Sequence, residues 1–304
     1  MTGGVQGRRR RVARAGVALL AVGAVVAAGC ASGGGGGDGA PADDAVATTT
    51  TVVPPVFTAT TTGEEVVNPG YRQGVARLDD GGWIFSGTTV LARVDADLNQ
   101  EQADTTAVPD RFVPDGYNHV GDVDVEDGIL YVPLEQPEYQ RDEQIMACFD
   151  PQTLTMTGSQ EVAQRHNSFI AVDGDRAYSM KGFSGDQILV YEVGAGCTFE
   201  PLEPIALSVR LNRVQGADVA AGALWLATDD AVRGLYRADL ATGAVSTIGA
   251  MAHVAEEGEG EGIDATTTDQ GLLHVVNIVD TLDVRFEHFD VADEAGEPVT
   301  STGD

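Results

Sequence analysis

The chain has 304 residues with 18 basic and 47 acidic side chains, a net charge of −29. A surface that negative repels phosphate backbones and anionic lipid, so DNA and RNA are excluded as partners. The length suits one large all-β domain or two smaller ones.

The first thirty residues run from basic to apolar to small. Arg8, Arg9, Arg10, Arg11 and Arg14 form the basic part, and Ala15 to Ala28 is an unbroken run of Ala, Val, Gly and Leu. That order is the order of a secretory signal. Its 14 apolar residues fall short of the ~20 a helix needs to cross the hydrocarbon layer. Ala27-Ala28-Gly29 before Cys30 resembles the bacterial lipobox, in which the cysteine is lipidated and becomes the new N-terminus. The resemblance implies a signal at 1–29, a lipid on Cys30, a cell-membrane address on the extracytoplasmic face and the membrane as first partner. Removing 1–29 leaves 13 basic residues against 47 acidic ones, a net −34.

Residues 30–51 hold five consecutive glycines, Gly33 to Gly37, then Pro, Ala, Asp and Thr. Such a stretch lacks the apolar surface that offsets ordering entropy, so it reads as a flexible tether. With Cys30 lipidated, Cys148 and Cys197 remain. An even pair in an exported domain predicts a disulfide between them.

From residue 52 to 292 the chain repeats itself. Five segments share one plan: a polar start, a small residue, an apolar strand, a Gly turn and a second apolar strand. The turn glycines are Gly81, Gly128, Gly174, Gly222 and Gly271, spaced 47, 46, 48 and 49. That period is the length of a four-stranded propeller blade. The prediction is an all-β, five-bladed β-propeller, with a six-bladed ring as the alternative and a solenoid third. The fifth unit ends near Val291 without a fourth strand. An open edge invites aggregation, so Val52 to Thr62, with Val56 and Phe57, is expected to supply that strand and close the ring. Residues 293–304 read as a disordered acidic tail. Trp83, Tyr131, Tyr178 and Trp225 sit in second strands and predict an apolar layer between blades.

First strands of a propeller line its channel, so residues at their starts gather at one mouth. Here these are Gln73; Asn118, His119, Asp122 and Asp124; His166 and Asn167; Gln215 and Asp218; and Glu259 and Glu261. Three readings of this ring stand side by side. It is structural polarity, satisfied by neighbouring blades and water. It is a ligand or partner site, with Asp122, Asn167, Gln215 and Glu261 as oxygen ligands for Ca²⁺ or another divalent cation. Or it is a metal-dependent ester or lactone hydrolase with His119 or His166 as base. A scaffold in an envelope complex is a further alternative.

The segment Glu257-Gly-Glu-Gly-Glu-Gly-Ile263 resembles the Glu-Gly-Ile blade start of phytase-like and gluconolactonase-like extracytoplasmic propellers. In gluconolactonase-like propellers an axial glutamate holds a divalent metal, and the resemblance places Glu261 at that position. No nucleotide-binding glycine loop, HExxH or GxSxG occurs.

Overall fold

The computed structural model describes residues 56–136, 141–255 and 258–302. The expected signal, the expected lipidation site Cys30 and the expected tether lie outside the described residues, as does the start of the expected closing segment.

The chain enters on β1 (Thr58–Val67), then forms five antiparallel sheets in sequence. Blade 1 is β2 (Gly74–Arg77), β3 (Trp83–Gly87), β4 (Val90–Val94) and β5 (Gln100–Asp104). Blade 2 begins on two short pieces, β6 (His119–Val120) and β7 (Asp124–Glu126), both paired with β8 (Ile129–Glu135). It continues through β9 (Gln144–Asp150) and β10 (Thr155–Val162). Blade 3 is β11 (Ala171–Asp173), β12 (Arg176–Ser179), β13 (Gly185–Gly194), β14 (Thr198–Pro201) and β15 (Ile205–Leu211), the last two both paired with the long β13. Blade 4 is β16 (Val214–Ala220), β17 (Ala223–Thr228), β18 (Gly234–Asp239) and β19 (Val245–Ala250). Blade 5 is β20 (Glu259–Asp264), β21 (Leu273–Ile278) and β22 (Val284–Ala292), completed by β1. A single 3-10 turn, Val113–Asp115, is the one helical element among the described residues.

The five turn glycines explain the regular first hairpins. All have positive φ, from 57° at Gly174 to 130° at Gly271, a conformation that costs glycine little and other residues more. The second strands are buried along almost their whole length, because each blade is covered on both faces by its neighbours. Outer strands such as β5, β10 and β19 alternate or lie exposed, which is why their sequence pattern is weak.

Five apolar cores fill the five seams. Blades 1 and 2 enclose Ile84 and Leu130; blades 2 and 3, Tyr131 and Phe199; blades 3 and 4, Tyr178 and Leu226. Blades 4 and 5 enclose Trp225 and Phe289, and blades 5 and 1 enclose Trp83 and Phe286. The last seam joins the end of the chain to its beginning. The fold is a five-bladed β-propeller. The four aromatics expected between blades each lie in a different seam.

Closure uses β1, which pairs antiparallel with β22 from Thr58↔Ala292 to Val67↔Val284. The pairing strand runs further along than Val52 to Thr62, because Glu64 and Glu65 find basic and imidazole partners on blade 5. Phe57, just before it, packs in the blade 4–5 seam edge-on to Trp225.

Cys148, in β9, and Cys197, in the turn after β13, form a disulfide with Cα atoms 5.9 Å apart, linking blades 2 and 3. Gly158, on the neighbouring β10, is needed there: a Cβ at that position would lie 2.7 Å from the Cβ of Cys197.

The expected disordered tail is corrected. Residues 293–302 fold back on blades 4 and 5. Val299 donates its N–H to Val291, Ser301 bonds Thr267, and Val299 packs against the blade 4–5 core. Val299 gives that segment an apolar side chain to bury, despite its acidic start.

Candidate functional site

The first strands converge on the axis in two layers. In the first layer the matching residues are Gly74, Asp122, Phe169, Gly216 and Gly262 from blades 1 to 5 in turn. Asp122 is completely buried. Its Oδ1 accepts the N–H of Val75, and its Oδ2 accepts those of Ala217 and Ile263. Its own N–H donates to Ser168, and its carbonyl accepts from Ile170. One residue is thus bonded to all four other blades. The three glycines make room for it, since a Cβ at Gly74, Gly216 or Gly262 would come within 2.6 Å of a carboxylate oxygen. Burial raises the Asp122 carboxyl well above its ordinary range, although the three N–H donors oppose it.

The second layer, two residues on, holds Ala76, Asp124, Ala171, Asp218 and Asp264. Each aspartate reaches into the next blade: Asp124 accepts from Val172 N–H, Asp218 from Ala265 N–H at 2.6 Å and Asp264 from Arg77 N–H at 2.7 Å. Burial raises all three, Asp124 to about 7, and repulsion from neighbouring aspartates adds to the rise at Asp124 and Asp218. These carboxylates latch blade to blade and do not line the mouth.

The mouth is a polar cavity of about 360 Å³, to which every blade contributes. Blade 1 supplies Gln73; blade 2, His119, Gly121 and Glu135; blade 3, His166, Ser168 and Phe183; blade 4, Arg213 and Gln215; blade 5, Glu259 and Glu261. The volume lies within the ~300–1,000 Å³ range of small-molecule sites.

Two hydrogen-bonded chains cross it. In one, His119 Nε2 meets Gln73 Oε1, while Gln73 Nε2 approaches Glu261 Oε1 at 3.4 Å. Burial lowers the affinity of His119 for a proton, and the charge of Glu135 opposes this. Glu261 is raised well above the usual carboxyl range by burial and by the charge and hydrogen bond of Glu259. In the other chain, His166 Nδ1 lies 2.8 Å from Glu135 Oε1, which also accepts the N–H of Asn167. Burial pushes Glu135 up, but the hydrogen bond and charge of His166 outweigh it and hold Glu135 below its ordinary range. Phe183 is half-buried, with the His166 ring at 4.8 Å and the Arg213 guanidinium also at 4.8 Å. Arg213 is held by Asp229.

Of the residues expected at the mouth, Gln73, His119, His166, Gln215, Glu259 and Glu261 come together there. Asp122, Asp124 and Asp218 lie inside the channel wall as described. Asn118 is exposed beside β8 and does not line the cavity. Asn167 turns away from it, accepting from Gln164 and donating to Ile145. The four residues expected to hold a cation therefore do not converge. Asp122 is engaged by backbone N–H groups, Asn167 faces the blade 2–3 seam, and of the four Gln215 and Glu261 alone reach the cavity. The set does not fit an axial metal, and the reaction through one has no ligand shell here.

Sequence reasoning missed Glu135 and Phe183. A signal for Glu135 existed: it and Asp229 both stand seven places after their blades' turn glycines, each ending an apolar second strand on a carboxylate. Each engages a basic residue at the start of the next or the same blade, His166 and Arg213.

No family model matches the chain, and no curated protein does. Among solved structures the chain is similar to regucalcin, a calcium-binding protein of Agrobacterium tumefaciens, with 13% identity over 70% of this chain and 74% of that one and a TM-score of 0.45. It is similar to a gluconolactonase of Xanthomonas campestris, with 12% identity over 72% of each chain and a TM-score of 0.45. It is also similar to the PQQ-bound aldose sugar dehydrogenase of Streptomyces coelicolor, with 12% identity over 78% of this chain and 99% of that one and a TM-score of 0.43. The propeller assignment stands on the five sheets and seams, and nothing about the mouth is taken from these likenesses.

Proposed function

We propose that this is a lipid-anchored, extracytoplasmic β-propeller that binds a small, polar, uncharged ligand at its channel mouth. The observation that carries the reading is the cavity itself, lined by side chains from all five blades. The mouth presents two imidazoles, three carboxyl groups, a guanidinium, a hydroxyl and two amides, and burial favours the neutral forms of His119 and Glu261. Such a set recognises hydroxyl, carbonyl and amide groups by hydrogen bonds. Phe183 is the one phenyl ring of the lining and already contacts His166 and Arg213, which argues for orientation by those bonds.

The test is a thermal-shift screen with neutral sugars, sugar lactones and amides. A stabilising hit that disappears in both His119→Ala and Glu261→Gln supports the reading. A panel without any mouth-dependent hit would turn attention to a protein partner at the envelope. The anchor is tested separately, by metabolic labelling with an alkyne fatty acid: label on the wild type, lost in Cys30→Ala, is the expected result.

A second reading, hydrolysis of an ester or lactone, is favoured by the His166–Glu135 pair. A carboxylate at 2.8 Å fixes the tautomer and orientation of an imidazole, as a general base requires. Turnover lost in both His166→Ala and Glu135→Gln, with folding intact, would establish it. Binding without turnover would remove it.

A further inference from the structure

Three histidines lie away from the mouth, and one of them belongs to a set of ligand-bearing side chains at the closure seam. Glu64 on β1, His253 in the loop after β19 and Glu287 on β22 bring one ligand atom each to within 4.8 Å of one another. We propose that these three residues bind a divalent transition metal, which staples the closing strand to blade 5.

The charges call for it. Glu287 is fully buried, yet its direct partners are neutral: Oε1 accepts from Asn277 Nδ2 at 2.7 Å and Oε2 from Ala252 N–H at 2.7 Å. Glu64 Oε1 accepts from Arg285 Nη1 at 3.1 Å, but that guanidinium is already held by both oxygens of Asp283, at 2.6 and 2.9 Å. Counting Asp283 against Arg285, two carboxylate charges remain. A protonated His253 offsets one of them, and a divalent ion offsets both. Buried carboxylates persist when paired or bound to a metal.

The surroundings are those of a supported site. Asn277 Nδ2 donates to Glu287 and also to the carbonyl of His253 at 2.9 Å, fixing the loop that carries the imidazole. Arg285 engages one oxygen of Glu64 and leaves the other facing His253. Such outer partners orient metal ligands. His253 Nε2 and Glu64 Oε2 are 2.6 Å apart, closer than two ligands sit around an ion with bonds of ~2.0–2.2 Å. Entry of the ion spreads them by up to about 1 Å. Both side chains are more than a third exposed and have the freedom to move. One imidazole and two carboxylates suit Zn²⁺ or Mn²⁺, and the exposed side leaves room for water.

The site is distinct from the channel mouth and does not depend on what the mouth binds. The experiment is elemental analysis of the protein after Zn²⁺ or Mn²⁺ loading and desalting, with hydrogen exchange of β1. The expected result is about one ion per chain, slower exchange across residues 58–67, and loss of both effects in His253→Ala and in Glu287→Gln. Glu261→Gln at the mouth retains the ion. Should Glu287→Gln fail to fold, the half-exposed His253→Ala decides alone. No retained ion in the wild type, or equal retention in His253→Ala, overturns the proposal.

Discussion

Asp122 Oδ2 accepts the backbone N–H of Ile263 at 3.1 Å, across 141 positions of sequence. The same side chain takes N–H groups from blades 1 and 4. It does for the ring what a hub does for spokes, and it does so with neutral donors. An unsatisfied buried donor costs ~1–3 kcal/mol. Asp122→Ala leaves three, so destabilisation by several kcal/mol is expected, with a fall in melting temperature of roughly 10 °C or more. Calorimetry of the variant checks this, and a shift of a degree or two would show that the axis is held by other means.

Stability should fall as pH rises from about 4 to about 7. A carboxyl whose folded pKa is raised contributes stability that is complete below its unfolded pKa and lost as pH climbs through the folded one. Asp124 moves from 3.8 to about 7, and Asp122, Asp218, Asp264 and Glu261 move in the same direction. His119 and His274, whose pKa values are lowered by burial, the latter to about 3, act oppositely. They reduce stability as pH falls below their unfolded value near 6.5. The five carboxyls outnumber the two imidazoles, so a melting temperature that falls between about pH 4 and pH 7 is the outcome to look for, with a shallower fall in Asp124→Asn. A fall unchanged in that variant would count against the assignment.

Reducing the Cys148–Cys197 bridge should weaken the fold without opening the ring. The loop spans 49 residues, and the chain-entropy relation gives about 4 kcal/mol for it. The paired variant Cys148→Ser/Cys197→Ser is expected to unfold at lower denaturant with an equal or steeper slope, because the unfolded chain is freer to expand. A reduced slope would mean that blades 2 and 3 had lost their cooperativity.

Removing β1 should leave the edge of β22 bare. Bare edges pair with other chains, so a form beginning at Asn68 is expected to associate in light scattering. A synthetic peptide of residues 58–67, added in trans, should reduce that association. A monodisperse truncated protein would show that the ring closes without its first strand.

The blades were legible because their hairpins need glycine where φ is positive, and the 46–49-residue spacing of those glycines survives in the chain. The identity of the closing strand was legible, but not its limits. Thr58–Val67 is an outer strand with one exposed face, and its polar middle, Thr60 to Glu65, hides that Val66 and Val67 belong to it. At the mouth, polarity alone could not separate residues facing the cavity from those facing the wall. Asp122 and Gln215 look alike as polar first-strand residues. One is turned inward by three glycines on other blades and the other lines the cavity. That distinction depends on residues 48 to 140 positions away, which no local pattern carries.

The pairing of β1 with β22 also sets an order of events in the life of the chain. Glu65 meets His288, 223 positions later. At a synthesis rate of about 5–20 residues per second, the interval between them is roughly 10 to 45 s. For that time the first strand to emerge has no partner of its own chain, and the four blades behind it are assembled beside an unfinished gap. Whatever accompanies the nascent polypeptide during this wait must shield a mainly hydroxyl-bearing and acidic strand, one poor in the hydrophobic side chains by which unfinished β-structure usually sticks. The composition of the latch is therefore suited to waiting as well as to closing.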